Sequence, residues 1–261
     1  MASYTMQPNT PDLEHPMLRM GSVAFLAGLV IAVVSTFGFH PTGEDLMNNP
    51  VIFAVYAEDD LWIASHIGQF AGILLIFAGG FVALYRLLVR SESGIASALA
   101  WFGLVTAIIA ASTFTILQAV DGIALKIAVD TWYAIPPTTT SSTSAAEGGE
   151  GEKAIAFRVA EGLRWTEWGV QAYYRMLQGA VALIFGVSII MSNLLSKWIG
   201  AVGIAAGVVT IAAGVVVAYV GFSSVRDPVV NVSTFTLYPW IVILGIFMWR
   251  KTMAKKMVTS R

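Results

Sequence analysis

Residues 59–88 read DDLWIASHIGQFAGILLIFAGGFVALYRLL. No charge interrupts them between Asp60 and Arg86, and about 20 apolar residues suffice for a helix to cross a hydrocarbon core about 30 Å thick. A transmembrane β-strand would instead alternate polarity over about ten residues. The stretch predicts a membrane-spanning α-helix with two polar side chains, His66 and Gln69, inside it.

The same signal recurs along the chain, at 17–39, 61–88, 95–121, 168–194, 198–221 and 236–250. The shortest, the sixth, is expected to start near Tyr238 and Trp240 as interfacial anchors. The chain is 57% hydrophobic and 12% charged, against about 45–50% and about 25% in soluble domains. The fold class is therefore all-α: a polytopic membrane helix bundle of six transmembrane helices. The first span is longer than a secretory h-region and ends in STFGFHP without a small-x-small cleavage pattern, so it is expected to remain as helix 1.

Charge sets the orientation. The side holding the termini carries nine basic and three acidic residues, the opposite side six basic and thirteen acidic. By the positive-inside rule both termini are cytoplasmic, and the chain reads as a multi-pass protein of the cell (plasma) membrane. The expected organisation is a cytoplasmic tail 1–16, helices 1–3 over 17–134 with an acidic outer loop 40–60, a flexible extracellular linker 135–153, an amphipathic start and helices 4–6 over 154–250, and a basic cytoplasmic tail 251–261. The linker, IPPTTTSSTSAAEGGEGEK, is too polar to fold alone. The tail segment WRKTMAKKM reads as a stop-transfer and anionic-lipid contact, with no nucleic-acid partner implied. Asn231-Val232-Ser233 is a glycosylation triplet on the outer side.

Helices 2 and 5 carry small residues at packing intervals. Gly200, Gly207, Gly214 and Gly221 recur every seven residues with Gly203 between, and Gly68, Gly72 and Gly79 mark helix 2. In lipid, close backbone approach is how helices adhere. Beyond the bilayer, the expected partners are other membrane subunits or a second copy, held through these Gly-rich faces.

Counting about 20 residues outward from the cytoplasmic ends brings His40, His66, Gln118 and Arg175 to one level at the outer edge of the hydrocarbon. Trp62, His66 and Gln69 share a face of helix 2, Thr115, Gln118 and Asp121 a face of helix 3, and Arg164, Glu167, Gln171, Arg175 and Gln178 a stripe of helix 4. Polar groups turned to lipid at this depth are costly. The expected arrangement is an outer-leaflet pocket lined by His66, Gln69, Gln118, Asp121, Gln171, Arg175 and Gln178, with His40 and Glu167 at its mouth.

Each member has a plainer reading. Arg175 with Asp121 reads first as an ion pair fixing helices 3 and 4, Arg164 and Glu167 as solvated, and the glutamines as cross-helix hydrogen bonds. A metal at His40, His66 and Asp121 is chemically possible, but the spacing contains no HxxxH or HxxE pair. Bis-histidine haem fails because His15 lies on the opposite side. The chain has no cysteine, which excludes thiolate chemistry. Neither a G-x-S-x-G elbow, an H-E-x-x-H helix nor a P-loop occurs, and no cofactor is assigned.

HPTGEDL (40–46), LWIASHIGQFAGILLIFAGGFVALYRLL (61–88), QAVDGIALK (118–126) and SKWIGAVGIAAGVV (196–209) together resemble a broad group of prokaryotic six-helix integral membrane proteins, a domain of unknown function. The resemblance implies six helices and no activity. Three functions stay open: a non-catalytic membrane subunit or scaffold, which the sequence favours; a small-solute or proton-coupled transporter or binder; and a metal-dependent membrane enzyme.

Overall fold

A computed structural model describes residues 14–41, 48–136 and 146–259. Its helices, in chain order, are α1 (Glu14–Val34), α2 (Asn49–Glu58), α3 (Trp62–Leu74), α4 (Val82–Leu88), α5 (Gly94–Gln118), α6 (Lys126–Ala134), α7 (Ala146–Ser192), α8 (Lys197–Val220) and α9 (Arg226–Thr259). Three wide-turn segments interrupt them without breaking them: π1 (Ser35–Phe39) extends α1, π2 (Leu75–Phe81) joins α3 to α4, and π3 (Ala119–Leu125) joins α5 to α6. Six of the resulting helices are long and apolar enough to cross a membrane: His15–Phe39, Trp62–Leu88, Gly94–Ala134, Gly151–Ser192, Lys197–Val220 and Arg226–Met253. The protein is a multi-pass, all-helical integral membrane bundle.

The helices form a closed ring. α1 packs on α9, α9 on α8, α8 on α7, α7 on α5, and α5 on α3–π2–α4, which returns to α1. The glycines of the second and fifth spans make two of these seams. A Cβ on Gly207 would lie 2.6 Å from the Gly179 carbonyl oxygen, and one on Gly72 2.5 Å from that of Gly28. Gly68 faces Ser35 of π1, Gly79 faces α1, and Gly200 and Gly214 face α7. The Gly-rich faces expected to hold a second copy or another subunit are thus occupied within the chain, because the helices that complement them, α1 and α7, belong to the same ring. Buried hydroxyls add cross-helix bonds: Ser188 Oγ donates to Ala96 O at 2.8 Å and Ser65 Oγ to Ser35 O at 2.9 Å.

Aromatic rings fill the centre. Phe81 packs edge-on against Phe25 at 5.1 Å, stacks on Phe185 at 5.3 Å and lies 6.1 Å from Trp240. Trp240 is fully buried and donates its indole N–H to Ile199 O at 2.9 Å. It is therefore a core residue, not the interfacial anchor expected from sequence: α9 begins at Arg226, ten residues before the sixth span was expected to start, and Trp240 lies correspondingly deeper.

Two of the continuous helices far outrun the membrane. α7 has 47 residues, about 70 Å at 1.5 Å per residue, and α5–π3–α6 runs unbroken for 41. Their outer ends pack with α2 into a second core of Ile52, Phe53, Tyr56, Trp62, Leu125, Val129 and Ala160. Hydropathy marks only the part of a helix that lipid surrounds, so these extensions escaped it. The region 48–58, expected as acidic loop, is largely α2; 42–47 lies outside the described residues. Likewise 146–153, expected as linker, forms the first turns of α7, whereas 137–145 lies outside the described residues. The triplet 231–233 is helical, with Ser233 buried.

α2 is held at both ends. Asn49 donates to Glu161 Oε1 at 3.0 Å and accepts from Arg164. Lys126 Nζ caps the last carbonyls of the helix, Tyr56 O at 3.0 Å and Ala57 O at 2.9 Å. Arg164 is consequently 1% exposed; Glu167 is buried too, at 6%, so neither is solvated as expected. The guanidinium of Arg164 lies over Phe222 at 4.7 Å.

Candidate functional site

Five helices of the ring diverge above the aromatic centre and enclose a cavity of about 310 Å³. Its floor is apolar, formed by Ala32, Ile73, Phe114 and Leu237. The polar residues above it come from every side. His66, Gln69, Gln118, Asp121, Gln171, Arg175 and Gln178 all line it, as do His40 and Glu167. Glu167 and Gln178 are eleven residues apart on α7, so the wall descends about 16 Å.

His66 is buried and bonded through both ring nitrogens: Nδ1 lies 2.7 Å from Trp62 O, and Nε2 lies 3.1 Å from Asp121 Oδ2. A backbone carbonyl can only accept, so Nδ1 donates to Trp62 O and Nε2 is turned to the Asp121 carboxylate. π3 contributes to this geometry twice. Gly122 lies so close that a Cβ there would be 2.5 Å from His66 Cβ, and Asp121 O accepts the Trp62 indole N–H at 3.1 Å. The wide turn directs Asp121 toward α3, so the Asp121–Arg175 ion pair expected from sequence does not form.

His40 follows π1 at the mouth, its ring 4.9 Å from Trp62 and 5.4 Å from His66. Burial first, and the nearby His66 second, hold its imidazole below the ordinary histidine range. His40, His66 and Asp121 therefore adjoin, but both His66 nitrogens are already engaged. Among the described residues no three His, Asp or Glu side chains converge closely enough to hold a metal ion. The metal set expected from sequence does not fit.

Arg175 is half-buried on the α7 wall. Among the described residues no carboxylate pairs with it, and the ionisable groups acting on it are Arg226, Tyr238 and Tyr174. Among the described residues its Nε has no hydrogen-bond partner, nor do the Tyr174 hydroxyl, the Gln118 Oε1 and the Arg226 Nε. Arg226 is otherwise engaged, donating to Gln171 Oε1 and Asp227 Oδ1, both at 3.0 Å, with its guanidinium over Phe222. Buried polar groups are nearly always satisfied, so four open ones around one hollow call for a ligand.

Tyr174, Arg226, Asn231, Thr234 and Tyr238 line the cavity too and were not among the expected site residues. A signal existed: Asp227, Asn231, Thr234 and Tyr238 recur at four, three and four residues, a helical face running into the sixth span. No protein-family model matches the chain, and no curated protein or solved structure matches it significantly.

Proposed function

We propose that this integral membrane protein, oriented with its termini inside the plasma membrane, binds a small anionic solute from the outer face. The observation that carries the reading is Arg175, a cation facing a cavity of about 310 Å³ with no carboxylate of the described residues against it. An unpaired guanidinium at the edge of the hydrocarbon is costly, and an oxyanion would supply bidentate hydrogen bonds to it. Gln171, Gln178 and the Tyr174 hydroxyl stand beside it as neutral partners. The aromatic centre below offers no polar path inward, which favours binding over conduction in this conformation.

The test is isothermal titration calorimetry of the full chain in neutral-lipid nanodiscs with acetate and with inorganic phosphate. Saturable binding of either, weakened by added salt and abolished by Arg175→Gln, is expected. Binding of neither ends the proposal. The subunit reading keeps one support: Ile155 and Val159 are 69% and 53% exposed on the part of α7 that rises beyond the bilayer, where lipid does not cover them. Chemical cross-linking in native membranes that yields only monomer would remove it.

A further inference from the structure

The cavity shares its wall with a second hollow. On the lipid-facing side of the ring, Ile63, Ile67 and Phe70 of α3 face Thr115, Ala119 and Ile123 across an apolar groove of about 190 Å³. Its back is formed by His66 and Gln118, and both residues also line the polar cavity. Two side chains therefore separate the bilayer from the binding hollow.

One of the two is incompletely bonded. Gln118 is 7% exposed, and its carboxamide oxygen has no partner. Its amide nitrogen reaches Gln69 Oε1 only at 3.5 Å, beyond the usual range for such a bond. Turning the amide over would exchange an open acceptor for an open donor, so the partition presents an unmet polar group in either orientation. His66, by contrast, is tied on both nitrogens. Gln118 is the part of the partition free to re-pair with a headgroup.

We propose that the ligand is a single-chain carboxylate amphiphile that enters sideways from the outer leaflet. Its chain lies in the groove between α3 and π3, and its head passes Gln118 to meet Arg175. This rests on the anion-binding reading above. A monoanionic head is favoured over a phosphate dianion because Glu167 and Asp227 stand at the outer mouth of the same cavity, and like charges disfavour a second negative charge. An apolar groove set against a cationic cavity, with Gln118 in the partition between them, matches the two ends of such a molecule.

Ala119→Trp fills the groove from an exposed, lipid-facing position, and every variant in the same neutral nanodiscs meets the same membrane-partitioned pool of amphiphile. Binding of dodecanoate and of acetate is compared in the wild type, Ala119→Trp and Arg175→Gln. Dodecanoate affinity is expected to fall at least about tenfold in Ala119→Trp while acetate binding is unchanged, and Arg175→Gln is expected to lose both. Acetate binding in Ala119→Trp also reports that the variant is folded. Unchanged dodecanoate binding in Ala119→Trp overturns lateral entry and leaves the anion site standing. Loss of acetate along with dodecanoate in that variant overturns it too, since the substitution then acts on the cavity itself. If the wild type binds phosphate but neither carboxylate, the ligand class is wrong; if it binds no anion, the anion site itself fails.

Discussion

Arg175→Gln should separate a binding cation from a structural one. Glutamine keeps two donors, adds an acceptor and removes the charge, and among the described residues the side chain it replaces has no carboxylate partner to orphan. A charge at a helix centre costs about 2.5–3.5 kcal/mol on insertion scales and less toward the interface, the level to which residue counting assigns Arg175. Removing it should leave the empty protein as stable as before, or more stable by about 1 kcal/mol. The liganded protein behaves oppositely. Ligand at a hundred times its dissociation constant stabilises the wild type by about 2.7 kcal/mol, a shift of roughly 5–10 °C at the 2–4 °C per kcal/mol typical of chains near this length. In Arg175→Gln that shift should vanish. Thermal unfolding of both proteins, with and without saturating anion, gives all four values. A variant that melts well below the empty wild type, by more than about 2 kcal/mol, would show that Arg175 is half of a structural pair, and the reasoning would be refuted.

Asp121→Asn keeps a hydrogen-bonding group opposite His66 Nε2 but removes the charge, and should cost about 1–3 kcal/mol; a smaller loss in chemical unfolding would mean that the pair does not hold α3 to π3. Gly→Ala should change sign with position. Gly207→Ala meets the α7 backbone at 2.6 Å and should destabilise by at least about 1–3 kcal/mol, whereas Gly162→Ala on the outer part of α7 meets nothing within 4 Å and should stabilise by about 0.5–1 kcal/mol. Equal effects in parallel melts would contradict the seam. His40 is held below its ordinary value of 6.5, so the unfolded chain takes up its proton first as pH falls, and the native state loses stability from about pH 6.5 downward. His40→Gln should therefore lose less stability than the wild type between pH 7 and pH 5 in otherwise identical melts.

How much of this was readable beforehand differs by level. The second span, expected at 61–88, is Trp62–Leu88, because a lipid-embedded helix is marked by uninterrupted apolar residues whatever its neighbours do. The third, fourth and sixth spans were read short for the same reason. Once outside lipid, α6, the start of α7 and the start of α9 mix polar with apolar residues, and only packing keeps them helical. Arg164 shows the cost of that blindness: α2, hidden in an apparent loop, binds it through Asn49 and Phe53.

The candidate site divides along the same line. Depth is one-dimensional, so counting residues from one end of each span is enough to bring His66, Gln118 and Arg175 to one level, and all three line one cavity. Which of them touch depends on rotation about each helix axis, and π3 changes that rotation in a way that no hydropathy pattern records. Asp121 consequently meets His66 and leaves Arg175 open. The apolar pattern alone determined that the chain is a helical membrane protein with six candidate spans that carry polar groups toward one end. Only the closed ring decided that those groups face one another, since the partner of each helix is a matter of complementary surfaces brought together from distant parts of the chain.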